Sequence, residues 1–369
     1  MKVNLLTENL KKGMGIVARA VSSKVSLPVL STILIKAEKE GITLEATDLE
    51  ISLKVMIRAK VEEVGSICIP AKLFSELVST LSAGTIEMVV EKEALLISGA
   101  KLKTQIMGQS ATEFPALPET RGKGISLDIH EYKEKMDRVA VSAARDDTRP
   151  VLSGVLWQID EGLINLVATD GYRLGLDKLT RVKGIDVLKG KKFILPVRAV
   201  LELSRIAEGE GDEMKVEFDA EKQQVIFSLA DTEMSSRLIA GEFPPFQKVI
   251  PTEKRLTVNV DKMEMIEAVR RAALFARDNS NVVKLLIEDG VMKVIADSDA
   301  SGKTETEIEV GMEGEGVKAA FNAKYLLDYL SVVSNEKILI ETEGELKPAV
   351  FRIEEDDFVH IIMPFRVQN

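Results

Sequence analysis

Two patterns of hydrophobic and polar positions follow each other along the chain. Most segments alternate apolar and polar residues and are rich in β-branched side chains, which is typical of half-buried strands; residues 43–45, 51–57, 215–218, 225–229 and 337–341 are clear examples. Six segments instead place apolar residues at helical spacing, and they are residues 8–21, 71–81, 131–145, 197–206, 261–277 and 323–333. The chain is therefore predicted to have an α+β fold whose helices rest on one face of its sheets.

The clearest predicted helix spans residues 131–145. Its apolar stripe consists of Tyr132, Met136, Val139, Ala140 and Ala143. Its other side carries Lys135, Arg138, Ser142 and Arg145 at positions i, i+3, i+7 and i+10. Since one stripe is apolar and the other polar, we expect the first to face the core and the second to face solvent or a partner.

Three sequence landmarks each recur along the chain. The segment LPVLSTILI from Leu27 returns as RPVLSGVLW from Arg149 after 122 residues, with a weaker copy, NVVKLLI, from Asn281. The helical segments at residues 71–81, 197–206 and 323–333 begin within the related IPAKLF, LPVRAV and FNAKYL, and EFPALP, EFPPFQ and IMPFRV form the third set. A period near 120 residues indicates whole domains in tandem rather than a solenoid.

The repeat predicts three domains, residues 1–121, 122–251 and 252–369. Both joints fall in short polar segments with Pro or Gly, at residues 117–124 and 249–255, which is where regular structure usually ends.

Charge is distributed unevenly between the predicted elements. The net charge of −10 argues at first against a nucleic-acid partner, but the six predicted helices carry +5, which leaves −15 for the remainder. Two interpretations stay open. The helices could form a basic surface on an otherwise acidic protein, or their Lys and Arg could simply balance nearby Glu on solvated faces.

The residues that catalysis or metal binding needs are scarce. One cysteine, Cys68, and two histidines, His130 and His360, cannot supply the usual zinc ligand sets. Residues 184–192 resemble a phosphate loop without its Ser or Thr, and the calcium-loop-like segment from Asp297 has Ile308 where a Glu is required. We expect no catalytic residue, no cofactor, no metal site and no enzymatic activity.

Cellular location follows from two further features. A single cysteine excludes an internal disulfide and favours a reducing compartment. The longest uncharged run, residues 25–35, has 11 residues and is too short to span a membrane. We expect a soluble, cytoplasmic protein with no membrane partner.

Several motifs together resemble one family, the bacterial DNA sliding clamps, which are the beta subunits of DNA polymerase III. They are the three tandem repeats, the LPVLS element, ATDLE at residues 46–50 with ATDGYRL at residues 168–174, the EFP motifs and the terminal MPFRV. The resemblance covers the whole chain. It implies tandem clamp domains, each with two helices on antiparallel sheet, and a head-to-tail homodimeric ring that encircles duplex DNA as a processivity factor.

The family implies contacts to DNA that are independent of base sequence, since a closed ring retains DNA by topology. Lys24 and Arg149 resemble DNA-contacting positions of the family. The helical periodicity adds six weaker candidates, Arg138, Arg145, Arg198, Arg205, Arg270 and Arg271.

The family also has a hydrophobic groove for short peptides of its partners, which are the polymerase III catalytic subunit, the clamp loader, other polymerases and mismatch-repair proteins. The matching positions are Leu152, Thr169, Gly171, Tyr172, Arg173, Leu174, Pro244, Lys248, Val249, Asn322, Tyr325, Ile361, Ile362, Met363, Pro364, Phe365 and Arg366. Packing in a domain core is the alternative role for the apolar members. The chain departs from the family pattern at Lys248, often an Arg, at Phe365, and at the extension Val367 to Asn369.

For the dimer contact, the family places an apolar patch of the third domain against the edge strand of the first. The matching residues are Leu274 and Phe275 on one side and Thr104 and Ile106 on the other. A monomeric enzyme or ligand-binding protein of triplicated domains is the alternative function, and the mass of the protein in solution distinguishes the two.

Overall fold

The computed structural model of the chain describes residues 1–22, 27–99, 101–120, 122–146, 148–298 and 302–366. Contacts divide the chain into two compact units. The first comprises Met1–His130, Val182–Leu188 and Glu202–Leu238, and the second comprises Glu131–Arg181, Lys189–Leu201 and Ile239–Asn369. The predicted domain boundaries describe the sequence repeats and stay predictions.

Six α-helices occur in the described residues, and each lies where helical spacing predicts one. They are α1 (Thr7–Val17), α2 (Ala71–Thr80), α3 (Ile129–Ala140), α4 (Val197–Ile206), α5 (Lys262–Ala276) and α6 (Ala323–Val332). Asp261 and Asn322 cap α5 and α6, since their side chains accept hydrogen bonds from backbone N–H groups of the first turn. Helix α3 ends at Ala140, five residues earlier than predicted.

The strands are numbered in chain order. The first fourteen are β1 (Lys2–Leu6), β2 (Thr32–Glu38), β3 (Gly41–Thr47), β4 (Ile51–Ile57), β5 (Lys60–Glu63), β6 (Gly65–Pro70), β7 (Thr85–Glu91), β8 (Ala94–Gly99), β9 (Leu102–Met107), β10 (Ile125–Asp128), β11 (Gly154–Ile159), β12 (Ile164–Thr169), β13 (Arg173–Leu179) and β14 (Val182–Lys183). The others are β15 (Lys192–Pro196), β16 (Glu213–Asp219), β17 (Gln224–Ser228), β18 (Thr232–Arg237), β19 (Leu256–Asp261), β20 (Val282–Glu288), β21 (Val291–Ser298), β22 (Gly302–Glu309), β23 (Gly311–Gly314), β24 (Val317–Asn322), β25 (Lys337–Thr342), β26 (Ala349–Arg352) and β27 (Val359–Ile362).

Each unit contains two antiparallel sheets. The first unit has the orders β5-β1-β7-β8-β9 and β14-β10-β16-β17-β18-β4-β3-β2-β6. The second has β15-β11-β12-β13-β27-β26-β25-β19-β23 and β22-β21-β20-β24. Each nine-stranded sheet therefore combines strands from two sequence repeats.

In each nine-stranded sheet, one strand pair connects the two sequence repeats, and its register is regular. In the first unit β18 pairs with β4, and Met234 lies opposite Leu53. In the second unit β13 pairs with β27, and Leu174 lies opposite Ile361. The pairing of β13 with β27 brings ATDGYRL of the middle repeat beside the last strand described, and this positions the site described below.

Helix α3 packs as its apolar stripe predicts. Tyr132, Met136, Val139, Ala140 and Ala143 are all buried. The ring of Tyr132 lies 6.1 Å from that of Trp157 on β11, and Trp157 in turn stacks on Phe193 of β15 at 5.4 Å. The opposite face is more buried than its polar residues predict, because Arg138 and Ser142 are buried as well.

Candidate functional site

The ATD motif forms the same turn in the first and second repeats. In each, the Thr hydroxyl donates to a backbone carbonyl four residues ahead, Thr47 to Ile51 and Thr169 to Arg173. In each, the Asp carboxylate accepts two backbone N–H groups at the end of the turn. The residue after Asp has a positive φ of 75° at Leu49 but 91° at Gly171, where glycine adopts it without strain. The turns are therefore equivalent, and the second is the more relaxed.

Arg173 follows the turn only in the second repeat, since Ile51 stands at the equivalent position. Its guanidinium, 3% exposed, lies 3.0 Å from Asp170 Oδ2 and 2.7 Å from Asp328 Oδ2 of α6. It also lies over the Tyr325 ring, 4.4 Å from the centroid. Burial alone would raise the pKa of Asp328, but hydrogen bonds from Lys324 and Arg173 outweigh it and hold that pKa below its usual range. Arg173 thus fixes β13 to α6.

The segment after β27, residues 363–366, is called the tail here. It is held at two points by backbone hydrogen bonds: Met363 N donates to Tyr172 O at 2.8 Å, and Phe365 N donates to Ala320 O at 2.7 Å. Met363, Pro364 and Phe365 are half-buried and Arg366 is exposed. The tail therefore runs between the ATDGYRL turn and β24 with part of each side chain open to solvent.

An apolar cluster lies beside this tail. Its buried members are Leu156, Val167, Leu174, Ile194, Phe246, Val350, Val359 and Ile361, and partly buried residues, among them Val151, Phe243 and Ile250, pack on it. Tyr172, two positions before Leu174, and Val249, directly before Ile250, expose 56% and 39% of their surface. A well-packed apolar floor with half-open apolar edges is the kind of surface that takes an apolar peptide side chain.

The predicted groove residues differ in how open they are. Leu152, Thr169, Arg173, Leu174, Ile361 and Ile362 are buried, Asn322, Tyr325, Met363, Pro364 and Phe365 are half-buried, and Gly171, Tyr172, Pro244, Lys248, Val249 and Arg366 are exposed. Two of the buried ones, Leu174 and Ile361, belong to the apolar cluster, so core packing also describes them. Phe243 and Phe246 were missed, although the repeated EFP motif marks that segment.

The structure places the predicted DNA-contacting residues in different environments. Lys24 lies outside the described residues. Arg149 is exposed, and its Nη2 donates to Asp170 O at 2.8 Å, so its guanidinium lies on the outside of the ATDGYRL turn. Arg198, Arg205, Arg270 and Arg271 are exposed on α4 and α5. Arg205 forms an ion pair with Glu202, and Arg271 forms one with Glu267. Ion pairs of this kind are common on solvent-exposed helix surfaces.

Arg138 requires correction as a DNA-contacting candidate, and Arg145 requires correction only in its predicted position on the helix. Arg138 points inward and is 3% exposed, because Asp356 at 2.9 Å, Asp177 at 3.8 Å and Glu134 at 2.7 Å surround its guanidinium with carboxylates. A phosphate cannot reach it without breaking a buried ionic cluster. Arg145 is exposed but follows the end of α3, so it does not share a helical face with Lys135.

The predicted dimer residues lie near open edges. Leu274 of α5 is 57% exposed and Phe275 is half-buried. Thr104 is half-buried and Ile106 is 4% exposed on β9, which is the edge strand of the five-stranded sheet. Ile106 therefore belongs to the core of its own unit, whereas Leu274 is available to a partner.

Three families of known protein domains match consecutive segments of the chain. They are the N-terminal, central and C-terminal domains of the DNA polymerase III beta subunit, at residues 1–118, 126–245 and 247–366. The chain belongs to the DNA polymerase III beta subunit family.

Individual beta subunits and clamps are similar to this chain along their whole length. The beta sliding clamp of Staphylococcus aureus is 29% identical over 361 residues, 94% of each chain. That of Halalkalibacterium halodurans is 31% identical over 365 residues, 95% of each. The sliding clamp structure from Bacillus subtilis superposes with a TM-score of 0.94 at 28% identity, and the beta subunit from Thermotoga maritima with 0.92 at 27%, each over 100% of both chains.

Membership of the beta subunit family confirms the resemblance of the motifs and the α+β fold of three tandem clamp domains. It also confirms the prediction of an accessory subunit without catalysis. Among the described residues, no group of three or more His, Cys, Asp or Glu side chains is arranged to hold a metal ion. None of the described helices is long and apolar enough to cross a membrane.

The histidines and the cysteine have structural surroundings. His360 is buried, its ring stacks on Tyr329 at 5.1 Å, and burial lowers its pKa to about 3, so the imidazole stays neutral. His130 Nε2 lies 3.6 Å from Asp212 at an exposed position. Cys68 is buried, and burial raises the pKa of its thiol. Two of the three, His360 and Cys68, are therefore buried in the cores of their units.

Proposed function

We propose that this chain is a processivity factor: two copies form a ring that encircles duplex DNA, slides along it and tethers DNA polymerase III. The observation that carries the proposal is the likeness to sliding clamps over 100% of both chains, through all three tandem domains. A ring holds DNA by topology, so it needs only weak contacts that do not depend on base sequence.

The charges of the chain suit such a ring. Arg149, Arg198, Arg205, Arg270 and Arg271 are exposed and form the proposed DNA-facing set, with Lys24 and Arg145 as further members. Exposed ion pairs like Arg271 with Glu267 are worth about 0–1 kcal/mol, so DNA phosphates can compete with the carboxylates. The net charge of −10 disfavours binding of DNA to other surfaces.

The proposed partner site is the apolar cluster together with the ATDGYRL turn and the tail. A peptide with Leu and Phe side chains would lay them on the cluster, while Arg173, Asn322 and Tyr325 set the polar edge. Met363 is half-buried and unbranched, so it can adapt to different side chains. The occupants proposed are peptides of the polymerase III catalytic subunit, the clamp loader, other polymerases and mismatch-repair proteins.

The proposed ring closes head to tail, which requires two different surfaces on one chain. One surface is offered by β9, an edge strand of its sheet among the described residues, with Met107 64% exposed beside Ile106. The second is offered by Leu274, exposed on α5, together with β22, an edge strand of the sheet that α5 packs on. An edge strand beside an exposed apolar side chain suits pairing with another chain.

Light scattering tests the assembly. The chain has a mass of 40.6 kDa, and the proposal requires particles of twice that mass. Replacement of Leu274 by Ala together with Phe275 by Asp should give monomers that keep their circular dichroism spectrum. Wild-type monomers at micromolar concentration would reject the ring, whereas dimers of the double variant would reject this interface alone.

A further inference from the structure

A cavity of about 280 Å³ in the second unit is lined in part by the tail. Lys284 on β20 and Lys318 on β24 form one wall, Phe365 and Arg366 of the tail form the second, and Glu345 and Leu346 of the loop after β25 form the third. It is called the cationic pocket here. Its walls mix long cationic side chains with apolar surface, since Leu346 is 53% exposed.

The cationic pocket carries a surplus of positive charge. Three of its lining side chains are cations and one, Glu345, is an anion. Lys284 Nζ lies 2.9 Å from Asp297 Oδ2 and is therefore neutralised. Lys318 and Arg366 have no ion pair with any described residue, although the chain as a whole is acidic. Two such cations and a single lining carboxylate, Glu345, thus share one cavity, which leaves positive charge for a carboxylate ligand.

The tail contributes residues both to the proposed partner groove and to the cationic pocket, because Phe365 and Arg366 line the pocket and Met363 precedes them by two positions. Met363 N donates a hydrogen bond to Tyr172 O, in the turn of the proposed groove. Phe365 N donates to Ala320 O, and Ala320 lines the pocket. From Met363 to Arg366 an extended chain covers about 10 Å. A peptide lying along the tail therefore reaches the pocket within about two to four residues of its apolar side chains.

We propose that the cationic pocket binds an acidic side chain flanking the apolar motif of a partner peptide, and so selects among partners. The inference rests on the proposed partner groove and adds its charge specificity. Lys318 and Arg366 pair with the carboxylate, while Leu346 and Phe365 cover the methylene groups of a Glu side chain. Such rim charges change affinity modestly but discriminate between peptides with the same apolar residues.

Fluorescence anisotropy with matched peptides tests this. Four peptides share the apolar motif Gln-Leu-Ser-Leu-Phe. One carries Glu-Glu before the motif and one carries Glu-Glu after it. The other two carry Gln-Gln at the same two places. The wild type should bind one of the Glu peptides about fivefold more tightly than its Gln counterpart, and less so as salt increases. Lys318→Glu should remove or reverse this preference, and Lys318→Arg should keep it.

Lys337 is the matched control, because it is an exposed Lys of β25 in the same unit that does not line the pocket. Lys337→Glu should leave the preference unchanged. Equal binding of Glu and Gln peptides by the wild type, or an unchanged preference in Lys318→Glu, overturns the inference. If Lys318→Glu weakens binding of a duplex oligonucleotide but not the peptide preference, the pocket serves nucleic acid and the inference is wrong. Failure of every peptide to bind would instead reject the groove itself.

Discussion

The buried Arg173 of β13 and the half-buried Asp328 of α6 form an ion pair, with Nη1 2.7 Å from Oδ2. The two residues are 155 positions apart and belong to different sequence repeats. The guanidinium also bonds to Asp170 and covers the Tyr325 ring, so one side chain connects the ATDGYRL turn, α6 and the aromatic edge of the proposed groove.

Removal of this side chain should therefore affect both stability and peptide binding. Arg173→Ala removes the buried cation that bonds to Asp170 and Asp328, two partly exposed carboxylates, and should lower the free energy of unfolding by about 2 kcal/mol. Lys324→Ala is the matched control, since Lys324 also contacts Asp328 but is half exposed, and it should cost less than about 0.5 kcal/mol. Urea unfolding measures both. Equal costs in the two variants would show that burial of Arg173 is not what matters.

The tail should be necessary for peptide binding. Deletion of residues 363–369 removes Met363 and Phe365, which bond to Tyr172 and Ala320, and should abolish binding of a labelled Gln-Leu-Ser-Leu-Phe peptide. Deletion of residues 367–369 alone should leave affinity within about twofold, because Arg366 and everything before it is kept. Unchanged affinity in the longer deletion would contradict the proposed groove.

Asp177 should make stability depend on pH. Burial raises the pKa of its carboxyl to about 6, while Lys135 at 3.3 Å acts in the opposite direction. The folded chain therefore holds this proton more tightly than the unfolded chain, so the contribution favours folding below about pH 4 and is lost as pH rises through about 6. Relative to wild type, Asp177→Asn should gain about 3 kcal/mol between pH 4 and pH 7.

The measurement for Asp177 is urea unfolding at pH 4, 5, 6 and 7 for the two proteins. The difference between them reports this carboxyl together with its coupling to Lys135 and Asp356, because groups far from it titrate alike in both. A difference that stays constant across the series would mean that the carboxyl titrates normally despite its burial.

The sequence predicts the elements of this fold well and its long-range contacts poorly. Helix α4 is predicted with its observed bounds, because apolar residues at helical spacing are a local signal. The inward orientation of Arg138 is not local. It depends on Asp177, 39 positions later, and on Asp356, 218 positions later, which no periodicity connects to α3. The polar stripe of α3 therefore predicts a face open to solvent or a partner, whereas the structure buries Arg138.

For the candidate site as well, the sequence predicts local motifs but not the residues that distant strands bring together. The motifs ATDGYRL and MPFRV direct attention to the turn and the tail, and the structure pairs their strands, Leu174 opposite Ile361. Phe246, in the EFPPFQ segment, and Val350, in no motif, complete the apolar cluster, yet both look like ordinary core residues in the sequence. Only the pairing of β13 with β27 and of β27 with β26 brings Val350 there.

The central claim is that the protein holds DNA by encircling it. After loading onto a nicked circular duplex, wild-type protein should stay bound through gel filtration at a salt concentration that screens surface charges, and should be released when the circle is cut once. Retention on the circle together with loss from the linear form is the predicted result. Equal dissociation from circular and linear DNA would contradict the account.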